Sequence, residues 1–428
     1  MKIFRRTAAS IAVLIAVSVA LSAALAATVA VAADWPQWRG PQRDGISQET
    51  GLLQEWPKDG PKLLWQIKDA GSGFSTPSVV GDRLYFLGNK GLDDEFVAAR
   101  AIKDGSPIWS VTIGKVGNPK QRPSYPGARS TPTVDGELLF ALGSDGNLVC
   151  LEAASGKVRW KKDLRTDFGG EPGRWAYAES PLVDGDKVVC TPGGSEATIV
   201  ALNKDTGDVI WKCPIPGGDQ AAYSSIVASD AGGVKQYVQF LGKGVVGVDA
   251  KTGKFLWRYD NTAKGSPANI PTPLAESNFV YSATGKGGGG LVKIESDAGA
   301  LKAAQEYFSP KLPTAIGGVV KVGDYLYGTN SQALECVEFK TGKIVWSERG
   351  IGAASILSAD HRLYLHGENG DVALVDASPD GYKERGRFTP PDRPEGGPGK
   401  AWAYPVVANG RLYIRDLDML WCFDIAAK

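Results

Sequence analysis

The stretch Glu152-Ala153-Ala154-Ser155-Gly156-Lys157-Val158-Arg159-Trp160 decides the fold, because its second half recurs along the chain. A hydroxyl residue, a glycine, a charged residue, two further residues and a tryptophan return in the same order in Ser155–Trp160, Thr206–Trp211, Thr252–Trp257 and Thr341–Trp346. A looser copy ends at Trp109, and degenerate copies end at Tyr307 and Phe388. Such internal repetition predicts one structural unit that is used many times.

A second pattern precedes each copy and completes the unit. It consists of an apolar strand, a Gly/Asp turn and another strand, as in Thr131-Pro132-Thr133-Val134-Asp135-Gly136 and Tyr404-Pro405-Val406-Val407-Ala408-Asn409-Gly410. Each period therefore reads as strand, hairpin, strand, loop, strand, glycine turn and a strand that ends in an aromatic residue. Four strands in roughly 45 residues are typical of a propeller blade.

The number of blades follows from the two ends of the repeat region. Seven units are complete, and an eighth ends with its third strand, Met419–Asp424. Lys62–Ile67 resembles a lone fourth strand, and pairing it with the eighth unit would remove the exposed edges of an open ring. We therefore expect an all-β, eight-bladed β-propeller of four-stranded antiparallel blades over residues 62–428, closed by this N-terminal strand.

The repeated glycine and tryptophan have a physical reason. Glycine adopts the positive φ of a tight turn without steric cost, and the tryptophan four residues later is able to wedge between neighbouring blades. We expect looser contacts where the repeat decays, at Tyr307 and Phe388.

The region before the ring divides into two segments. Lys2, Arg5 and Arg6 precede an apolar run that ends in small residues, which predicts a secretory signal peptide over residues 1–33. The run is also long enough for an uncleaved N-terminal anchor. Either alternative predicts a periplasmic or secreted protein. Residues 34–61 are expected to pack on one face of the ring or to serve as a partner-binding arm.

Composition restricts the partners. The net charge is only +1, and no long run of one sign occurs, so nucleic acid and anionic membrane surfaces are poor candidates. Apart from a possible anchor, we expect no membrane insertion. We also expect the chain to be a monomer.

The repeat resembles the pyrroloquinoline quinone (PQQ) repeat family. That family includes quinoprotein alcohol dehydrogenases and a non-catalytic lipoprotein of outer-membrane barrel assembly. The resemblance covers about residues 62–428, and Asp34-Trp35-Pro36-Gln37-Trp38-Arg39-Gly40-Pro41 is also similar to secreted bacterial members without an assigned function. It implies the propeller fold, and it leaves open PQQ with calcium as a cofactor.

The sequence departs from the catalytic members in its chemistry. Those enzymes carry a vicinal cysteine pair, and some carry a haem motif, whereas this chain has neither adjacent cysteines nor Cys-x-x-Cys-His. His361 and His366 lack metal-ligand spacing. No catalytic or metal-binding residue is therefore assigned, and these residues predict no cofactor.

A ligand site is predicted at the mouth of the central channel. Connectors between blades share a face with the loops between middle strands, and together these segments carry aromatic and charged residues. We expect a funnel that binds a protein, small-molecule or glycan ligand. The equally weighted alternative is that the aromatic residues only plug the channel. The candidate ligand-binding residues are Tyr125, Arg129, Trp175, Tyr177, Glu179, Tyr223, Lys286, Trp402, Tyr404 and Asp416.

Three functions follow from these residues. The first is a non-catalytic binding or assembly module. The second is a PQQ-dependent alcohol or polyol dehydrogenase, with Glu179 or Asp416 as the base and Arg129 or Lys286 at the quinone oxygens. The third is a carbohydrate-binding propeller in which the aromatic rings stack on sugars.

Overall fold

The strands of the computed structural model form eight separate sheets, each built around four antiparallel strands. The structure describes residues 33–117, 125–266, 268–297, 299–394 and 400–427. The signal segment predicted over residues 1–33 therefore lies almost entirely outside the described residues. The two helical elements that the described residues contain are short 3-10 turns, Ala231–Gly233 and Asn261–Ala263.

The first four blades follow the chain without interruption. Blade 1 consists of Ser78–Val80, Arg83–Lys90, Asp94–Ala101 and Pro107–Gly114. Blade 2 consists of Thr133–Asp135, Leu138–Leu142, Asn147–Glu152 and Val158–Asp163. Blade 3 consists of Leu182–Asp184, Lys187–Cys190, Ile199–Asn203 and Val209–Cys213. Blade 4 consists of Val227–Ser229, Gln236–Phe240, Val245–Asp249 and Phe255–Tyr259.

The last four blades include three departures from the simple repeat. Blade 5 has two long outer strands and consists of Leu274–Glu276, Phe279–Thr284, Gly288–Asp297 and Ala300–Ser309. Blade 6 consists of Val319–Val322, Tyr325–Thr329, Leu334–Glu338 and Ile344–Glu348. Blade 7 consists of Ala354–Ala359, Arg362–Gly367, Val372–Asp376 and Glu384–Phe388, with Ile46–Ser47 added in parallel. Blade 8 consists of Val406–Ala408, Arg411–Asp416, Met419–Asp424 and Lys62–Ile67.

The N-terminal strand closes the ring, as predicted. Lys62–Ile67 pairs antiparallel with Met419–Asp424, so that Lys62 faces Asp424 and Ile67 faces Leu420. The buried Arg415 guanidinium joins this blade to blade 1, because it donates hydrogen bonds to the carbonyls of Ser75 (2.9 Å) and Leu87 (2.5 Å). The two ends of the repeat region thus form one blade, and the fold prediction is confirmed.

Outer-strand tryptophans join neighbouring blades through one recurring contact. The Trp160 Nε1–H donates to the Lys204 carbonyl of the next blade (2.8 Å), and the Trp211 Nε1–H donates to the Ala250 carbonyl (3.3 Å). Gly253 lies under the Trp211 ring with φ +73°, and a β-carbon there would approach the ring to 2.6 Å. The turn therefore needs glycine for both its backbone angle and the close approach of the indole.

The degenerate copy at Tyr307 makes the same contact. Its hydroxyl donates to the Phe339 carbonyl (2.9 Å), and a β-carbon on Gly342 would approach the ring to 2.6 Å. The expected loosening at this position is therefore absent. Trp257 departs from the pattern instead, since its Nε1–H donates within blade 4 to the Gln236 side chain (2.5 Å).

The two ends of the ring differ in the segments that form them. One end carries the connectors between blades and the loops between middle strands, and we call it the connector face. The other end carries the hairpin turns between the first and second strands, and we call it the turn face. Each first strand begins at the connector face and ends at the turn face. The position of a hydrogen-bond partner along such a strand therefore shows how far a channel residue lies from either face.

Residues 34–49, here called the channel segment, contact the first strands of several blades. Trp35 and Val79 exchange backbone hydrogen bonds (2.7 and 2.8 Å) in blade 1. The Ser47 hydroxyl donates to the Val407 carbonyl (3.1 Å) in blade 8, and Ile46 pairs with Ser358 in blade 7. The segment therefore lies among the first strands that surround the axis.

Candidate functional site

A cavity of about 300 Å³ lies at the connector face, between the segments that enter the first strands. Connectors into seven blades and the channel segment contribute to it, and the lining is dominated by aromatic rings. The lining residues are Trp38, Phe74, Tyr125, Arg129, Trp175, Ala178, Tyr223, Ala268, Ile270, Ile316, Trp402 and Tyr404. The volume accommodates a large side chain or a small ligand rather than a folded segment.

The structure brings six of the ten candidate ligand-binding residues together in this lining. They are Tyr125, Arg129, Trp175, Tyr223, Trp402 and Tyr404. Each belongs to a connector, and the repeat places all connectors at one end of the ring. Their role in binding stays a prediction.

Two other candidates are buried behind the cavity. The Tyr177 hydroxyl donates to the Pro192 carbonyl (2.9 Å), and its ring packs between blades 2 and 3. Glu179 accepts hydrogen bonds from the backbone N–H and the hydroxyl of Thr191 (2.7 and 3.0 Å). Burial raises the pKa of Glu179 to about 8, although the Thr191 hydrogen bonds and the Arg43 charge oppose the shift. Both side chains are packed beneath the connectors and lie outside the cavity lining.

Of the last two candidates, Lys286 belongs to the loop between the middle strands of blade 5, and Asp416 ends the second strand of blade 8. Lys286 is exposed and lies outside the cavity lining. Asp416 is buried and forms an ion pair with Arg393 (2.8 Å). The roles considered for a dehydrogenase, with Glu179 or Asp416 as the base, therefore fall on carboxylates away from the cavity.

The aromatic rings of the lining hold one another in place. Trp402 packs against Phe74 (5.0 Å between ring centroids) and edge-on against Tyr125 (4.9 Å). Trp175 packs edge-on against Tyr223 (5.8 Å), whose hydroxyl accepts the Trp175 backbone N–H (3.0 Å). Each side chain is thus positioned by a partner from another connector, which favours a preformed cavity.

Arg129 supplies the charge in the described lining. Its guanidinium donates hydrogen bonds to the carbonyls of Trp175 and Tyr125. Burial lowers the pKa of Arg129 to about 10, so the side chain stays protonated at neutral pH. The nearby carboxyl of Glu95, whose pKa burial raises to about 7, accepts hydrogen bonds from Ser144. The cavity therefore combines apolar walls with one fixed cation.

Trp38 completes the cavity, and the sequence reasoning did not include it among the site residues. Its Nε1–H donates to the Thr272 hydroxyl (2.9 Å), and its ring meets Tyr404 edge-on at 4.6 Å. The available signal was that Trp38 lies outside the repeat, within residues 34–61, which were expected to pack on one face of the ring or to serve as a partner-binding arm. The pairing of Ile46–Ser47 with blade 7 places the segment in the channel, and no sequence pattern predicts that pairing.

A shallow depression of about 500 Å³ adjoins the cavity across blades 1 to 3. Its charged lining includes Lys115, Arg165 and Arg174 together with Asp93 and Asp145. Asp145 forms an ion pair with Arg165 (2.9 Å). This border is polar and of mixed charge, as is usual around an apolar binding centre.

The described residues do not fit a quinone held by calcium. Calcium requires several oxygen ligands, usually carboxylates, and PQQ is itself a polyanion that needs cationic partners. The described lining has the single cation Arg129 and no carboxylate, and the described part of the chain contains no group of three His, Cys, Asp or Glu arranged for a metal ion.

Comparisons with known proteins identify the family. A family model described as "Outer membrane protein assembly factor BamB" matches residues 93–348. The chain therefore belongs to this family of PQQ-repeat propellers.

Among the described residues, none of the helices has the length and apolar character needed to cross a bilayer.

Individual relatives match shorter regions. The outer membrane protein assembly factor BamB of Salmonella typhimurium is 28% identical over 28% of this chain and 28% of its own length. The quinoprotein ethanol dehydrogenase of Pseudomonas aeruginosa is 33% identical over 25% of this chain and 16% of its own. Both alignments span less than a third of the relative.

A solved structure extends the likeness to most of the chain. BamB from Moraxella catarrhalis superposes with a TM-score of 0.57 and 16% identity, over 83% of this chain and 94% of that one. At this identity the match shows the fold alone.

Proposed function

We propose that the protein is an extracytoplasmic binding module whose connector-face cavity receives an apolar side chain of a protein partner. The observation that carries this proposal is the cavity itself, which is walled by aromatic residues from several connectors and contains the cation Arg129. Aromatic and arginine side chains around a concave centre are the usual anchors of protein interfaces. The binding role assigned to the six lining candidates belongs to this proposal.

The surroundings of the cavity support a protein partner. The depression across blades 1 to 3 adds polar and charged side chains of both signs beside the apolar centre. A partner segment would bury one side chain in the cavity and lay its backbone across this border. The family supports the same reading, since its model is described as an outer-membrane protein assembly factor.

The location outside the cytoplasm rests on the N-terminal sequence. Lys2, Arg5 and Arg6 followed by an apolar run predict export, and the name of the family model refers to the outer membrane. We propose a periplasmic or secreted monomer in which residues 34–61 precede the ring.

Selection from a library of random twelve-residue peptides displayed on phage tests this function directly. We expect the purified protein to enrich peptides that share one aromatic or branched aliphatic residue. Trp175→Ala should weaken the selected peptides at least tenfold, about 1.4 kcal/mol, because it removes one wall of the cavity. Calorimetry with the synthetic peptides would measure the change.

Lys286→Ala is the matched control, because Lys286 lies on the same face but outside the lining. Its affinity for the selected peptides should stay within twofold of the wild type. The proposal fails if no peptide is enriched, or if Trp175→Ala binds them as the wild type does.

Two further measurements separate the other functions. Titration with PQQ and calcium, followed by dye reduction with a panel of alcohols, would reveal a dehydrogenase. Binding to an oligosaccharide array that Trp175→Ala abolishes would indicate a carbohydrate-binding module, because aromatic rings also stack on sugars. Either positive result would replace the protein partner as the ligand.

A further inference from the structure

The channel segment enters and leaves from the turn face. The backbone N–H of Gly81, in the first hairpin turn of blade 1, donates to the Asp34 carboxylate (2.9 Å). Glu49 accepts hydrogen bonds from the backbone N–H groups of Asn409 and Gly410, in the corresponding turn of blade 8. Both ends of the segment are therefore fixed at the face opposite the cavity.

The middle of the segment reaches the connector end of the first strands. The Arg39 guanidinium donates to the carbonyl of Val319 (2.5 Å), the first residue of its strand in blade 6. The Arg43 guanidinium donates to the carbonyls of Ser180 (2.8 Å) and Pro181 (3.0 Å), just before the first strand of blade 3. The segment is therefore a loop that rises from the turn face and bends below the connectors.

Trp38 lies at this bend and faces the cavity. Its indole is partly exposed, whereas the next residue, Arg39, is buried behind it. The Thr272 hydrogen bond and the edge contact with Tyr404 fix the ring. Gly40, with φ +83°, lies against Trp35, where a β-carbon would approach the ring to 2.7 Å. The bend is therefore tightly packed.

We propose that Trp38 is the floor of the cavity and determines which ligands it accepts. This inference rests on the proposed function. Because the indole closes the cavity from the channel side, a ligand enters from the connector face and stops at Trp38. The site therefore accepts one aromatic or branched aliphatic side chain at the tip of a partner segment, and it excludes longer apolar groups and a chain threaded through the ring.

Selectivity for length provides the test. The probes are the N-acetyl amides of phenylalanine, 2-naphthylalanine and 4-biphenylalanine, which extend the same apolar group in steps, and ligand-observed NMR titration measures their affinities. We expect the wild type to prefer the naphthyl over the biphenyl compound. Trp38→Ala removes the floor and should shift this ratio at least tenfold toward the biphenyl compound, with Trp38→Phe intermediate.

Trp56→Ala is the matched control, because Trp56 is a buried tryptophan of the same N-terminal region that packs on Phe388, away from the cavity. It should leave the ratio unchanged. Thermal unfolding of each variant shows whether the ring is intact, and Thr272→Ala, which frees the indole N–H, replaces Trp38→Ala if that variant does not fold.

The outcomes distinguish the two proposals. Wild-type binding with a ratio that neither Trp38→Phe nor Trp38→Ala alters would overturn the role of Trp38 and leave the binding module standing. Absence of binding by the wild type to all three probes and to any displayed peptide would overturn both.

Discussion

The outer rim of the ring and its central channel are held together in different ways. At the rim, one contact recurs between blades, in which an outer-strand aromatic lies on a glycine of the next blade and donates to a nearby carbonyl. In the channel, each contact occurs once, as with Arg43 and the carbonyls before blade 3. A repeated contact specifies the fold, whereas single contacts specify the site.

The rim and the channel also differ in the kind of interaction that stabilises them. The rim contacts bury large apolar rings, and this burial is the principal source of stability in a repeat protein. The channel buries cations and carboxylates that need specific hydrogen-bond partners. Burial lowers the pKa of Arg43 in the channel to about 10, so its side chain still carries its charge at neutral pH. Such groups favour one position of the chain, because any other position leaves polar atoms unpaired.

The largest effect is expected at the rim. Trp211→Ala should lower the free energy of unfolding by about 3–5 kcal/mol, because it removes a buried ring from the interface between blades 3 and 4. Guanidinium titration followed by circular dichroism measures this loss. Peptide binding at the cavity should be unchanged in the folded variant.

Ile210→Ala is the matched control, because Ile210 precedes Trp211 on the same strand but is 40% exposed. It should change the free energy of unfolding by less than about 0.5 kcal/mol. A loss below about 1 kcal/mol in Trp211→Ala would contradict the structural role given to the rim contact.

The next effect is expected in the channel. Arg43→Ala should lower the free energy of unfolding by about 2–3 kcal/mol, since the carbonyls of Ser180 and Pro181 lose a charged donor. It should also loosen the bend that carries Trp38 and weaken peptide binding. The exposed neighbour Gln42 gives the control variant Gln42→Ala, which should change neither quantity. Equal stability of both variants would show that the segment is not held by Arg43.

The sequence specified the rim almost completely. Copies of one glycine–tryptophan pattern predicted the blades, and the orphan strand Lys62–Ile67 predicted how the ring closes. Glycine and the aromatic residue are required by the same contact, so the two positions recur together. The contact at Tyr307 was underestimated because a tyrosine ring and hydroxyl replace the indole and its N–H without loosening the interface.

The site was predicted only in part because connectors do not repeat. Topology alone brought Trp175 and Tyr223 to one face. Whether a connector residue points into the cavity or into the packing behind it depends on single contacts, as with Tyr177 and the Pro192 carbonyl. Trp38 reaches the cavity through a loop whose path depends on arginine–carbonyl pairs, for which the sequence has no periodic signal.

A glycine substitution tests how tightly the aromatic ring packs on the glycine at the rim. Gly253→Ala should cost about 2 kcal/mol more than Gly185→Ala, because its new β-carbon would overlap the Trp211 ring. Gly185 has a similar φ of +62° but no atom within 4 Å of the new β-carbon, so it shows the backbone cost alone. Equal losses in urea titrations would mean that the ring moves aside freely.

The smallest effect concerns the dependence of stability on pH. Because burial raises the pKa of Glu179 to about 8 in the folded state, the folded protein binds this proton more tightly than the unfolded chain does. The contribution of Glu179 is therefore most favourable below about pH 4.5, and it declines as the pH rises toward 8. Glu179→Gln, which cannot ionise, should gain stability relative to the wild type between pH 5 and 8. Glu95→Gln should show the same trend but level off near pH 7, where the pKa of Glu95 lies. If plots of the free energy of unfolding against pH are parallel for the wild type and Glu179→Gln across this range, Glu179 is ionised throughout. In that case the Arg43 charge stabilises the carboxylate more than burial opposes it.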